Sequence, residues 1–124
     1  MTDDELICLE PLTSLEFLLL QYGAVTDEGL LHIDHLTRLK HLHLNSNGIT
    51  NEGLANLASM TQLETLDVSS TRIGDSGLSH LKHFTRLKTL HLRDTSVSEH
   101  AFEQFRQSLP NCEIHRINDS DVGN

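Results

Sequence analysis

The segment LEFLLLQYGAVTDEGLLHIDHLTR, which begins at Leu15, recurs in pattern at Leu39, Leu63 and Leu87 with a period of 24 residues and no insertion. A fixed period of this size marks a solenoid, because each unit leaves an apolar face that only the next unit covers. Counting the first Leu as position 1, positions 1, 4 and 6 are Leu in every copy except at Val68, and position 11 is Val25, Ile49, Ile73 and Val97. No helix and no two-faced strand places apolar residues at Leu39, Leu42 and Leu44 in this way. A short strand over positions 3–7 does, if residues 4 and 6 point inward while 3, 5 and 7 face the other way.

The rest of each repeat predicts a turn and then a helix. Position 9 is Gly23, Asn47, Thr71 and Thr95, small or hydrogen-bonding residues suited to capping backbone groups where the chain turns. Position 12 is Thr26, Thr50, Gly74 and Ser98, which suit helix N-caps, and Asp27, Glu28, Asn51, Glu52 and Asp75 then sit near a positive helix end. The helix is expected to bury positions 16, 19 and 22: Leu30, Ile33 and Leu36, then Leu54, Leu57 and Met60, then Leu78, Leu81 and Phe84, then Phe102 and Phe105. Gly29, Gly53 and Gly77 recur at position 15 despite a cost of up to ~1 kcal/mol inside a helix. Close packing of helix backbone on strand is the expected reason.

Written out, the repeat is LxxLxLxx(N/T)xITDxGLxxLxxLxxL. It resembles the leucine-rich repeat family, and within it the 24-residue bacterial form and the related repeats of ribonuclease-inhibitor and F-box proteins. The resemblance implies an α/β fold: a right-handed leucine-rich repeat solenoid (horseshoe), with a concave parallel β-sheet of four to five strands and convex helices. It also implies that other proteins bind the concave face. Leu6, Leu9 and Leu12 fall 24 residues before Leu30, Ile33 and Leu36, so residues 1–14 are expected to form an N-terminal capping half repeat ahead of four repeats at 15–110. The stretch LPNCEIHRI keeps Ile114 at position 4 but puts Arg116 at position 6. This predicts an edge strand or cap at 111–117 and a disordered acidic tail at 118–124.

Charge and composition exclude several classes. Nine Lys and Arg against eighteen Asp and Glu leave a net charge of −9, which repels a phosphate backbone, so no nucleic-acid partner is expected. No apolar run reaches the ~18 residues of a membrane span, so no membrane partner is expected either. The start MTDDELICLE is acidic and lacks the features of a signal peptide. Cys8 and Cys112 lie at opposite ends of the array, too far apart to bridge when strands advance ~4.8 Å each. Two free thiols suit a reducing compartment, and a cytoplasmic location is expected, with export by a route without a recognised signal left open. A monomer is expected, with the strand at 112–117 as an edge through which copies could associate.

The face opposite the Leu ladder is the candidate protein-binding site. It presents Phe17, Leu19, Gln21 and Tyr22 from the first repeat, and His41, His43 and Asn45 from the second. Thr65, Asp67 and Ser69 follow from the third, then Thr89, His91 and Arg93 from the fourth. Phe17, Leu19 and Tyr22 form an apolar patch suited to anchoring a partner, unless the N-terminal segment folds over it.

The column His43–Asp67–His91–His115 lies on one face at strand spacing. Of these, His43, Asp67 and His91 are the candidate metal ligands, since two imidazoles and a carboxylate can hold zinc with a fourth position open. The plainer reading is a His-rich polar surface with no metal and no cofactor, and that is the expectation. Ser69 as a nucleophile lacks an evident oxyanion hole, so no enzyme is expected. On the helical side, His32 with His35 and His80 with His83 stand three apart and are expected to be solvated helix surface. Position 2 alternates Glu16, Lys40, Glu64 and Lys88, which favours correct stacking of neighbouring strands. Three functions stay open: a protein-binding adaptor, an exported effector acting on a foreign-cell protein, and a metal- or pH-responsive surface.

Overall fold

The computed structural model describes residues 1–116, so the tail expected at 118–124 and the last residue of the segment 111–117 lie outside the described residues. Five strands, β1 (Phe17–Leu19), β2 (His41–His43), β3 (Thr65–Asp67), β4 (Thr89–His91) and β5 (Glu113–His115), form one parallel sheet in sequence order. Every pairing joins residues 24 apart, so Leu18, Leu42, Leu66, Leu90 and Ile114 stand in one row. Leu42, Leu66 and Leu90 are fully buried, as are Val25, Ile49 and Ile73. The strands are three residues long, but the ladder runs further. Leu20 N–H donates to His43 O at 2.8 Å and Tyr22 N–H to Asn45 O at 3.0 Å, and the next two repeats do the same.

The chain leaves the sheet through a turn that forces position 8 into the left-handed region: φ is 55° at Tyr22, 62° at Ser46, 56° at Ser70 and 55° at Asp94. Such a conformation costs on the order of 1–2 kcal/mol per residue outside glycine. Its recurrence in all four repeats shows that the turn imposes it. Position 9 then satisfies the turn as expected. Asn47 Nδ2 donates to Leu20 O and Leu44 O while Val25 N–H donates to its Oδ1 at 3.1 Å, and the hydroxyls of Thr71 and Thr95 donate to Val68 O and Leu92 O.

The helices α1 (Asp27–Leu30), α2 (Asn51–Ala55), α3 (Asp75–Leu81) and α4 (Glu99–Ser108) lengthen along the chain. The first two are shorter than the apolar spacing predicts. Ile33 and Leu36 reach the core from a run of turns held by i→i+3 bonds such as Ile33 N–H to Leu30 O.

The position-12 residues do less capping of their own helix than expected. Thr26, Thr50 and Gly74 make no side-chain cap bond to it, and among the four helices only Ser98 accepts from its own, from Ala101 N–H. Instead they receive the preceding repeat. Asp3 accepts from Thr26 N–H at 2.7 Å and from its hydroxyl, and Asp27 does the same for Thr50. Asn51 accepts from Gly74 N–H at 2.8 Å, and Asp75 from Ser98 N–H at 2.7 Å. These bonds from Ser98 hold the Asp75 carboxyl below the usual carboxylate pKa.

This ladder corrects the reason for the glycines. A Cβ on Gly29 or Gly53 would collide with Asp3 Oδ1 or Asp27 Oδ1, and one on Gly77 would lie 2.6 Å from Asn51 Oδ1. The close approach is to the side chain that staples the repeats together. Glu5, at the equivalent place in the N-terminal segment, turns its own carboxylate back to accept from Thr2 N–H at 3.0 Å and from the Thr2 hydroxyl.

That segment is a 3₁₀ helix, Asp4–Leu9, with Leu6 buried against α1. Leu12, at a position that is core in the later repeats, is exposed. His32 and His35 are not simply solvated surface. His32 Nδ1 lies 2.7 Å from a Glu10 carboxylate oxygen and His35 Nε2 lies 2.6 Å from Glu10 O, so both tie the segment to the first repeat. Glu16–Lys40 at 3.5 Å and Glu64–Lys88 at 3.2 Å bear out the alternating charges at position 2. Arg116 breaks the ladder for a local reason: its guanidinium pairs with Glu99 at 2.7 Å and lies 4.8 Å from the Phe102 ring centre.

Candidate functional site

The sheet face opposite the helices divides into two parts. At its N-terminal end Phe17 is 52%, Leu19 53% and Tyr22 78% exposed, so the N-terminal segment leaves the patch uncovered. Gln21 is exposed beside them. The Phe17 ring lies 5.5 Å from that of His41 and 5.9 Å from that of His43, which joins the apolar patch to the second repeat.

Beyond the patch the side chains are half-buried and bond to one another. His41 Nδ1 is 3.0 Å from the Thr65 hydroxyl. Asp67 accepts from Ser69 N–H at 3.0 Å, and the Ser69 hydroxyl oxygen accepts from Arg93 N–H at 3.2 Å. Thr89 and His91 continue the face on β4, with Glu113 and His115 beside them on β5. Asn45 departs from the expected surface. It is 8% exposed, turned under the face at the bend that follows β2, so it presents little to a partner.

The His column forms as the register requires, but its members do not converge on a point. His43 Nδ1 stands 3.8 Å from Asp67, and the His91 and His115 rings stack face to face at 4.7 Å between centres. His115 Nε2 turns to Glu113 at 3.0 Å. Among the described residues no group of three or more His, Cys, Asp or Glu side chains is arranged to hold a metal ion. Among the same residues no hydrogen bond joins Ser69 to a histidine. Burial at the thiol, aided by Glu113, pushes the Cys112 pKa up to about 11 and leaves it a poor thiolate.

His91 is held below the usual histidine pKa by its surroundings. Burial lowers its pKa most, with His115, His43 and Arg93 adding to the effect and Asp67 opposing it. A histidine whose folded pKa lies below its unfolded value stabilises the fold fully above about pH 6.5, and that contribution is lost as pH falls through the folded value. Thermal melts are therefore expected to lose stability on acidification from about pH 7 to 5, and His91→Gln to flatten that slope. An unchanged slope in the variant would mean that another group sets it.

Five parallel strands in sequence order, with helices between them and one open, side-chain-rich sheet face, define a repeat solenoid. The chain carries the fold of leucine-rich repeats, and a family model for leucine-rich repeats, two copies, matches its residues 37–83. Among solved structures, internalin C2 from Listeria monocytogenes is 27% identical, with a TM-score of 0.72 over 95% of this chain and 51% of that one. Internalin F from the same organism is 19% identical with a TM-score of 0.60, covering 95% of this chain and 38% of that one. The Chaetomium Mex67:Mtr2 subunits share the fold at 17% identity and a TM-score of 0.68, covering 98% of this chain and 92% of that one. The chain thus spans about half the length of the internalin C2 it matches. No curated protein matches its sequence. Leucine-rich repeat domains generally serve protein interaction and are typically non-catalytic.

Proposed function

We propose that this protein is a non-enzymatic module that binds a protein partner on its concave face. Phe17, Leu19 and Tyr22 anchor the partner, and His41, His43, Asp67, His91 and Arg93 select it. The observation that carries the reading is the exposure of three large apolar side chains on a preformed sheet surface. Folding has already ordered their backbone, which lowers the cost of binding, and aromatic side chains supply contact area with few rotamers to freeze. The polar column beside them supplies hydrogen bonds and charge that set partner choice. Cys8 and Cys112 are both free, which supports action in a reducing compartment.

The test is a pull-down with wild type, a Leu19→Ala/Tyr22→Ala variant, and a His80→Ala/His83→Ala control on the helical side. Removing two anchors is expected to weaken the captured partner by on the order of 2–4 kcal/mol, while the control keeps wild-type affinity. Affinity kept by the first variant and lost by the control would move the site to the helices.

A further inference from the structure

We propose that the segment docking on the patch is both apolar and basic: a stretch of another protein in which Lys or Arg flanks aromatic or aliphatic residues. This rests on the concave-face reading and adds the partner's chemistry. Among the described residues, the large apolar side chains that stay exposed are Met1, Ile7, Leu12, Phe17, Leu19, Tyr22 and Leu31, all at the N-terminal end of the solenoid. The charges divide in the same place. Residues 1–37 hold eight Asp and Glu and no Lys or Arg, whereas residues 38–116 hold eight acidic and nine basic residues. The uncovered apolar surface therefore sits in the acidic part of the molecule.

Those carboxylates are for the most part not neutralised where they stand. Asp3, Glu5 and Asp27 are held by the backbone N–H and hydroxyl groups of Thr26, Thr2 and Thr50, which are neutral donors. Glu16 has Lys40 at 3.5 Å, Glu10 has His32 at 2.7 Å and Asp34 has His35 at 3.9 Å, so these three contribute less to the field. The Debye length at physiological salt, about 8 Å, sets how far this charge reaches toward the flanking groups of a partner that buries the patch. Cations there gain; carboxylates are penalised. The same sign argues against the other occupants. An anionic lipid surface or a nucleic acid is repelled, and a second copy of this chain brings a net charge of −9 with it. Phe17, Leu19 and Tyr22 follow one another along β1 and its turn, so they span about 15 Å, the reach of four to five extended residues.

The experiment is a selection of displayed random peptides of roughly 12 residues on the wild-type protein, with the Leu19→Ala/Tyr22→Ala variant as the comparison. The expected pool carries more Lys and Arg than Asp and Glu around aromatic or aliphatic residues. A representative peptide is expected to lose about tenfold in affinity between about 50 and 300 mM NaCl, and at least about tenfold on the variant. An acidic or uncharged pool that still depends on Leu19 and Tyr22 overturns the charge inference and leaves the concave-face reading standing. A pool indifferent to that variant but lost on His80→Ala/His83→Ala overturns both. Wild-type protein that sediments as a dimer, dissolved by Leu19→Ala/Tyr22→Ala, overturns the choice of occupant in favour of a second copy.

Discussion

Leu66→Ala is expected to lose about 2–5 kcal/mol of folding stability, measured by urea unfolding, through the lost transfer free energy and the cavity left behind. Leu66 is fully buried and stands in the middle of the row formed by Leu18, Leu42, Leu90 and Ile114. Strands on both sides hold the site open, because the register of each pairing is fixed by the next, so collapse around the missing atoms is restricted. The central place matters in a solenoid, where each repeat contacts only its neighbours and stability is a sum of repeat and interface contributions. A defect at Leu66 weakens two interfaces at once. A loss below about 1 kcal/mol would mean that the row is not core.

Gly53→Ala is the second large effect, and its sign is the informative part. In an ordinary helix the change stabilises by up to about 1 kcal/mol. Here the new Cβ meets Asp27 Oδ1 and comes within 3.0 Å of Ile49 Cγ2. The Asp27 carboxylate cannot stay and keep its bonds to Thr50 N–H and the Thr50 hydroxyl. Losing charge-assisted hydrogen bonds costs about 1.5–3 kcal/mol each, so a net loss of about 1–3 kcal/mol is expected. A double-mutant cycle identifies the cause. In an Asp27→Ala background, Gly53→Ala has much less to collide with and is expected to be near neutral or stabilising. An equal loss in both backgrounds would place the strain on Ile49 and return the glycine to backbone packing.

How much of this was legible in the sequence depends on the length scale of the interaction. The sheet and its register follow from one spacing, because a 24-residue period leaves no other partner for Leu18 than Leu42 or for Leu42 than Leu66. Short strands flanked by turns read the same way. The Asp ladder did not, since Asp27 is as well suited to the first turn of its own helix as to a neighbour 23 residues away. The two roles differ in side-chain direction, which spacing does not encode. Gly53 was conspicuous for the same reason and explained wrongly for the same reason.

On the candidate face, alternation along the strand placed Phe17 and Leu19 correctly, because period 2 is geometric. It failed at Asn45, where the strand has ended and the turn decides which way the side chain points. The pairing of His32 and His35 with Glu10 was likewise hidden, because α1 stops at Leu30 and the two histidines reach Glu10 from turns rather than from one helix face. The exposure of Leu12 belongs with these, a core position in the pattern that the first repeat leaves uncovered.

The most direct measurement of the central claim is amide hydrogen exchange of the protein alone and in complex with its captured partner. Binding on the concave face at the apolar patch predicts added protection over residues 16–23 and 40–47, with the α2 and α3 amides unchanged. Protection confined to residues 51–55 and 75–81, with the β1 and β2 segments exchanging as in the free protein, would contradict it.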